Sequence, residues 1–91
     1  MECEWDEGKD AANRAKHGVS LAEAVSLDWA WAQERPDLRT PYGELRVEAI
    51  APLHGRLHVC IYTMREAAFR VISLRKANAR EEKRYGKTDP K

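Results

Sequence analysis

The fold of this chain is decided by the stretch YTMREAAFRVISLRKANAREEKRY, residues 62–85. It begins with the end of one strand, turns, and continues as a second strand over 69–75. A capping box at 78–81, N-x-x-E, then predicts a helix over 79–85 that ends at Gly86. Seven cations lie in this stretch, namely Arg65, Arg70, Arg75, Lys76, Arg80, Lys83 and Arg84. We therefore expect a central strand whose cationic end opens into a cleft.

Alternation along the second strand predicts which of its side chains share a face. Phe69 and Val71 would lie on the same face as Arg75, whereas Leu74 would lie on the opposite face with Lys76. Each face would then be apolar in the middle of the strand and cationic at its end.

Several segments before this stretch also have strand patterns. Residues 44–51 alternate between apolar and charged side chains, which predicts a half-buried strand. Pro52-Leu53-His54-Gly55 predicts a hairpin turn that leads into a strand over 56–63. Large and small residues alternate over 29–32, which predicts another strand, and residues 36–43 predict a loop because they contain two prolines and a glycine.

The first third of the chain predicts a short strand over 3–5 and two helices. One helix spans 7–16 and ends at Gly18, and a capping box, Ser20-x-x-Glu23, opens the second. The whole order predicts an α+β fold, with a small twisted antiparallel sheet of three or four strands and this short extra strand. Two N-terminal helices and one C-terminal helix would cover one face of the sheet.

The length predicts a single domain over residues 1–86, with a polar C-terminal tail over 87–91. Cys3 and Cys60 form no motif, and the acidic start MECEWDE lacks the apolar segment of a signal peptide. We therefore expect a cytoplasmic protein with reduced thiols, in which Cys60 belongs to the core. No apolar run approaches the roughly 20 residues of a membrane span.

Charge is distributed unevenly, although the net charge is only +1. Residues 1–34 hold eight acids and three bases, whereas residues 65–91 hold four acids and nine bases. Such a chain can present one face to a polyanion and another face to a basic partner. The two ends can equally lie against each other, and the two interpretations are compatible.

No motif for a metal or a nucleotide cofactor is present, and His17, His54 and His58 are scattered, so we expect no cofactor. The basic residues suggest another chemistry, because hairpin ends meet in space and arginine forks bind phosphate. The cluster expected at these ends comprises Arg46, Arg65, Arg75, Lys76 and Arg80.

Metal-free cleavage of RNA requires a base near the 2′-hydroxyl, cations around the phosphorane and an acid for the leaving oxygen. Tyr62, Ser73, Glu81 and Tyr85 are expected within reach of the cationic cluster. A plain solvated surface or a partner-binding face would give the same charge pattern, so both interpretations stay open.

Two other segments also have two interpretations. Lys16-His17-Gly18-Val19 can simply end a helix, or it can bring a lysine and an imidazole to the edge of a cleft. Trp29 and Trp31 can belong to the core, stack on nucleic-acid bases or anchor a protein partner.

The order of short motifs along most of the chain resembles the BrnT toxins of bacterial type II toxin–antitoxin systems. The motifs are E-W-D (4–6), N-x-x-K-H-G-V (13–19), R-P-D (35–37), G-E-x-R (43–46), G-R-L-x-V (55–59), Y-T-x-R (62–65), R-V-I-S-L-R-K-A (70–77) and x-x-x-E-x-x-x-Y up to residue 85. The resemblance covers residues 4–85. It implies a fold similar to the RelE-like toxins.

The activity implied by the resemblance is that of a metal-independent ribonuclease, which attacks mRNA and arrests growth. The implied partner is a BrnA-type antitoxin, a ribbon-helix-helix protein that binds operator DNA, so the toxin would reach DNA only through it. The implied catalytic residues are Arg65, Arg75, Arg80, Glu81 and Tyr85. The residues expected to hold the RNA backbone are Lys16, Arg46, Lys76 and Arg84.

Three features depart from the family pattern. Met64 stands where an acidic residue is expected, Leu74 stands where alanine is frequent, and the turn at 66–68 lacks glycine. If a carboxylate is needed, Glu81 or Glu48 would have to supply it, or Tyr85 would take its place. Met64 also supports an alternative function, in which a non-catalytic binding module acts as co-repressor with a ribbon-helix-helix partner.

Overall fold

A computed structural model of the protein describes residues 2–39 and 44–88, with side chains up to residue 86. The elements in chain order are β1 (Cys3–Glu4), α1 (Glu7–His17), a 3₁₀ helix (Leu21–Ser26), a second 3₁₀ helix (Trp29–Trp31), β2 (Gln33–Pro36), β3 (Arg46–Leu53), β4 (Arg56–Arg65), β5 (Ala68–Lys76) and α2 (Ala79–Thr88). The strands form one sheet in the order β1-β5-β4-β3-β2. β1 runs parallel to β5, and the other neighbours are antiparallel.

The α+β class and the short N-terminal strand are confirmed, but the predicted sheet of three or four strands is wrong in detail. The sheet is mixed and has five strands in the described residues. The strand predicted over 29–32 is a 3₁₀ helix, and the strand begins only at Gln33. Part of the loop predicted over 36–43 lies outside the described residues, and Pro36 belongs to the edge strand β2.

Trp29 shows why alternation failed in this segment. Its Nε1 donates a hydrogen bond to the carbonyl of Ala24 at 3.0 Å, and its ring stacks on Phe69 with centroids 5.6 Å apart. Tyr62 packs edge-on against both rings. This aromatic cluster packs the half-buried indole against the core, whereas Trp31 is 45% exposed. Packing therefore overrides a pattern that also fits a strand.

The second predicted helix is 3₁₀ rather than α, although it begins at the predicted cap. Ser20 Oγ accepts the N–H of Ala22 and donates to Asp10 Oδ1 at 2.9 Å. The N–H of Leu21 donates to the same carboxylate oxygen at 2.7 Å. Asp10 on α1 therefore holds this first turn from a distance, and these hydrogen bonds lower the pKa of Asp10.

A β-bulge in β5 changes the faces predicted by alternation. Ile61 of β4 pairs with Ser73, but the next residue, Tyr62, pairs with Val71, so Ile72 is an extra residue. The bulge reverses the alternation at this point. Val71 and Leu74 consequently pack in the same core cluster. Arg75, which was predicted to share the face of Val71, points to the opposite side of the sheet.

Helices cover both faces of the sheet, so the prediction that they cover one face is wrong. On the α1 side, Cys60 and Tyr62 of β4 pack with Leu21 of the first 3₁₀ helix. On the other side, Val59 and Ile61 form a smaller cluster to which Tyr85 of α2 packs. The burial of Cys60 is confirmed, and it raises the pKa of this thiol to about 12. Neither cysteine is part of a disulfide.

The hairpins and the last helix differ slightly from their predicted limits. The turn after β3 is shorter than predicted, with His54 and Gly55 both at positive φ. Glu66 and Ala67 also have positive φ, 48° and 74°, although neither is glycine. α2 continues through Gly86 instead of ending there. Within the described residues, no helix is long and apolar enough to cross a membrane.

Candidate functional site

A cavity of about 590 Å³ lies on the α2 side of the sheet. We call it the arginine cleft because five arginines line it, namely Arg35, Arg39, Arg75, Arg80 and Arg84. Three acids, Asp37, Glu48 and Glu81, also line it. β2 and the turn after it form one wall of the cleft, and the end of β5 and the first turns of α2 form the other. A neighbouring hollow of about 470 Å³ shares Arg35 and Arg84 with the cleft.

Arg75 and Glu81 form a two-pronged ion pair at one end of the cleft. The two guanidinium nitrogens of Arg75 lie 2.8 Å and 2.7 Å from the two carboxylate oxygens of Glu81. The hydrogen bond from Arg75 is the main reason why the pKa of Glu81 is lowered to about 2, and it raises the pKa of Arg75. The planar fork of Arg75 is therefore held in one orientation.

The predicted capping box at the start of α2 is confirmed and supports this pair. The N–H of Asn78 donates to Glu81 Oε1 at 2.9 Å, and the N–H of Glu81 donates to Asn78 Oδ1 at 2.8 Å. Glu81 is only 8% exposed. The same carboxylate thus caps a helix and orients an arginine.

Glu48 in the middle of the cleft holds two further arginines. Its Oε1 accepts hydrogen bonds from Arg35 Nε at 2.9 Å and from Arg84 Nη2 at 2.7 Å. Asp37 pairs with the more exposed Arg39 in the same way, at 2.9 Å. Each of these carboxylates orients guanidinium groups that still have other N–H donors. Such an array can bind the non-bridging oxygens of a phosphodiester.

The structure brings together three of the five predicted catalytic residues. Arg75, Arg80 and Glu81 all line the arginine cleft, together with Arg84 from the predicted RNA-binding set. Tyr85 packs in the apolar cluster behind α2, and its hydroxyl donates to the carbonyl of Trp31 at 2.8 Å.

Arg65 does not join the cleft, because the strands place it at the other end of the sheet. It pairs with Ala68 in the register, so it lies seven residues along β5 from Arg75, or roughly 20 Å. Glu44 lies between Arg65 and Arg46, at 3.8 Å and 3.1 Å from their guanidinium nitrogens. The prediction that the hairpin ends unite Arg46, Arg65 and Arg75 is therefore wrong.

The two predicted RNA-binding lysines also lie outside the cleft. Lys76 follows Arg75 on β5 and lines a separate cavity on the far side of the strand. Lys16 is exposed in the last turn of α1, where its charge contributes to lowering the pKa of His17. Both lysines therefore lie near the end of β5, beside the cleft.

Sequence reasoning missed Arg35, Asp37 and Arg39 as site residues. The motif R-P-D at 35–37 is one of the motifs that resemble the BrnT family, so it could have indicated these residues. Its proline instead predicted a loop from residue 36. Glu48 is predicted only as a possible replacement for the acid missing at position 64. The alternation of residues 44–51 already puts Glu48 and Arg46 on the same polar side of this strand.

The departures from the family pattern lie outside the cleft. Met64 is 51% exposed and lines a shallow hollow with Leu45 and Val47 at the far end of the sheet. Leu74 is fully buried in the core. In the described part of the chain, no three His, Cys, Asp or Glu side chains converge as metal ligands would.

A search of curated proteins found no match to this chain. A scan of protein families matched residues 5–81 to the family described as "Ribonuclease toxin, BrnT, of type II toxin-antitoxin system". The match spans most of the chain, including β2 to β5 and the arginines of the cleft up to Arg80. This chain therefore belongs to the BrnT family of ribonuclease toxins.

Proposed function

We propose that the protein is a metal-independent endoribonuclease that cleaves mRNA in the cytoplasm and arrests growth. The observation that supports this most directly is the arginine cleft, where five guanidinium groups surround one cavity. Guanidinium groups are always charged and bind phosphate in a fork geometry. They can supply the positive charge that a metal ion supplies in other nucleases.

In this proposal, the 2′-hydroxyl attacks the adjacent phosphorus, and the bond from phosphorus to the 5′-oxygen breaks. The products are a 2′,3′-cyclic phosphate and a 5′-hydroxyl. Arg75, Arg80 and Arg84 bind the phosphates of the RNA in the cleft, and Arg75, at its edge, also stabilises the extra negative charge of the phosphorane. Glu81 and Glu48 keep two of these arginines in position before RNA binds, which is supported by the short ion pairs.

The remaining predicted residues have outer roles in this proposal. Arg65 lies at the far end of the sheet, and Arg46 lies at the edge of the cleft, where its carbonyl accepts the N–H of Asp37; both bind the RNA backbone away from the scissile phosphate. Lys16 and Lys76 bind the RNA where it passes the end of β5. Glu81 is a weak base at neutral pH because its pKa is about 2. Tyr85 positions α2 through its hydrogen bond to Trp31.

We also propose that a BrnA-type ribbon-helix-helix antitoxin neutralises the toxin and carries the complex to operator DNA. An acidic segment of such a partner would compete with RNA for the arginine cleft. The alternative of a non-catalytic co-repressor was based on Met64. Because Met64 lies away from the cleft, no observation on the site favours that alternative.

The test is expression of the chain without an antitoxin, followed by mapping of RNA 5′ ends and by cleavage of purified RNA with and without a chelator. We expect growth arrest, 5′-hydroxyl ends and chelator-resistant cleavage. Arg75→Ala should lower the cleavage rate about 100-fold or more. Arg70→Ala is the matched control, because Arg70 pairs with Glu4 outside the cleft. Full activity of Arg75→Ala, or cleavage abolished by the chelator, would contradict the proposal.

A further inference from the structure

The described groups that line the arginine cleft are poorly suited to proton transfer, and one of its three acids, Glu48, is hydrogen-bonded to both Arg35 and Arg84. Arginine does not lose its proton in proteins. Arg75 holds the pKa of Glu81 at about 2, and Arg39 lowers the pKa of Asp37. A general acid or base works best when its pKa lies near the working pH. The cleft can therefore bind and polarise a phosphate more readily than it can move protons.

A second cavity lies across the end of β5 from the arginine cleft. Its volume is about 460 Å³, which is within the usual range of small-ligand sites. All three histidines of the chain, His17, His54 and His58, line this imidazole cavity, together with Lys76 and Arg56. Elements that are distant in sequence therefore bring imidazoles and cations to one place.

Local structure explains how the imidazoles come together. α1 ends at His17 because Gly18 adopts a left-handed conformation with φ of 75°. His58 on β4 lies opposite Lys76 on β5 in the strand register. His54 lies in the β3–β4 turn, where its Nε2 is 3.3 Å from Glu23 and its side chain is 72% exposed. His58 is thus the buried imidazole and His17 is half-buried, whereas His54 stands at the rim.

Hydrogen bonding determines which nitrogen of His58 is available. Its Nδ1 lies 2.8 Å from the carbonyl oxygen of Arg56, which can only accept, so Nδ1 carries a proton. The Nε2 atom remains for a ligand, and it donates when the ring is protonated.

His17 differs from His58 in its surroundings. Burial is the main factor that lowers the pKa of His17, followed by the charges of Lys16 and Arg75. The other charged groups around the cavity near it are Glu23 of the 3₁₀ helix, Lys76 of β5 and Arg56 of β4. His17 is therefore neutral at pH 7 and able to accept a proton.

We propose that the imidazole cavity receives the scissile phosphodiester of RNA, with His17 as general base and His58 as general acid. His17 removes the proton of the 2′-hydroxyl while the bond from O2′ to phosphorus forms. The bond from phosphorus to O5′ breaks, and His58 Nε2 donates its proton to the leaving oxygen. Lys76 neutralises the phosphorane, and no other reactant is needed. This inference rests on the proposed ribonuclease function and places proton transfer beside the arginine cleft.

The two cavities can serve one RNA strand because Arg75 and Lys76 are consecutive residues of β5. Their side chains face different cavities, so the end of β5 is a ridge between a backbone-binding cleft and a site for proton transfer. An RNA chain that crosses this ridge would place successive phosphates on the two sides. In that arrangement Arg75 would act next to the reacting phosphate.

The test measures single-turnover cleavage of one RNA oligonucleotide by the full chain and its variants. We expect His17→Ala and His58→Gln to lower the cleavage rate of bound RNA about 100-fold or more. Lys76→Ala should lower it about tenfold. RNA affinity should change little, because the arginine cleft is intact. Arg70→Ala is the control and should keep the rate within twofold, since Arg70 pairs with Glu4 and lines neither cavity.

Two further measurements make the result decisive. The pH–rate profile of the unaltered chain should be bell-shaped, with an acidic limb that rises as His17 loses its proton, and His17→Ala should lose that limb. Inorganic phosphate, used as the probe, should shift the NMR signals of the His17 and His58 rings but not those of His54. Lys76 is exposed, so Lys76→Ala tests the cavity even if His58→Gln fails to fold.

The failures are distinguishable. If the unaltered chain cleaves no RNA, the proposed function fails and this inference fails with it. If it cleaves RNA, and His17→Ala and Lys76→Ala cleave within threefold of its rate, only the assignment to the imidazole cavity is overturned. Absence of any phosphate-induced shift at His17 and His58 would also overturn it.

Discussion

The face of the sheet under α1 and the face under α2 contain different kinds of side chain. Under α1, Leu21, Cys60 and Leu74 are fully buried, and the aromatic cluster around Trp29 closes one side. Asn13 completes that face with two neutral hydrogen bonds, since its Nδ2 donates to the carbonyl of Leu74 at 2.8 Å and its Oδ1 accepts the N–H of Leu74 at 3.3 Å. Under α2, a smaller apolar cluster is bordered by arginine–carboxylate pairs.

This difference indicates that the two faces serve different purposes. Burial of apolar side chains is the main source of folding stability. Ion pairs that are partly removed from water contribute little net stability, because desolvation offsets the attraction. The charged groups under α2 are therefore better explained by ligand binding than by folding. The apolar part of the α1 face, away from the imidazole cavity at its edge, supplies most of the stability.

The largest expected effect is on the α1 face. Trp29→Ala should lower the free energy of unfolding by about 3–5 kcal/mol, because it removes a ring that contacts both Phe69 and Tyr62. Trp31→Ala is the matched control and should cost less than about 1 kcal/mol, since Trp31 is 45% exposed. Urea denaturation measures both. Equal losses of unfolding free energy in the two variants would contradict the view that Trp29 supports the core and Trp31 does not.

A double-mutant cycle tests whether the Arg75–Glu81 pair stabilises the fold. Arg75→Met alone should cost about 3 kcal/mol, because it leaves a carboxylate that is 8% exposed without its partner. The double variant Arg75→Met with Glu81→Leu should cost only about 1 kcal/mol, mainly from the lost cap of α2. Its RNA cleavage should be abolished. A double variant that is far less stable than either single variant would show that the pair is needed for folding.

Acid should weaken the α2 face through Glu81. The pKa of Glu81 is lowered to about 2 in the folded protein from an ordinary value of 4.5, so the ionised form favours folding. This contribution is complete above about pH 4.5 and is lost as the pH falls towards 2. In urea denaturation at several pH values, the stability of Glu81→Gln should decline less steeply in this range. Identical slopes for both proteins would contradict the role of Glu81.

The smallest expected effect concerns the exposed rim of the cleft. Arg39→Ala should lower the free energy of unfolding by only about 1 kcal/mol: the Arg39 side chain is 76% exposed, but Asp37, whose side chain is 9% exposed, loses its partner. RNA binding should weaken modestly and show a shallower salt dependence, since one phosphate contact is lost. Titration of labelled RNA at several salt concentrations measures this. An unchanged salt slope would place Arg39 outside the RNA path.

The predictions that held depend on local contacts. The Asn78–Glu81 capping box and the left-handed Gly18 involve residues within one helical turn, so the sequence reveals them directly. The prediction that Arg75 shares a face with Val71 is wrong, because the extra residue Ile72 reverses the alternation of β5. No glycine or proline in the strand marks this bulge. A bulge of this kind depends on how two strands fit each other, which a single strand does not encode.

By itself, the sequence determined where helices begin, where chains turn and which strand centres are apolar, because these features arise between near neighbours. It also contained the motifs by which the BrnT family is identified. Only the tertiary structure decided which cations share a site. Glu48 joins Arg35, 13 residues away, and Arg84, 36 residues away, because strand register and the packing of α2 bring them together. The same register separates Arg65 from Arg75, since charge spacing along a chain does not determine distance in space.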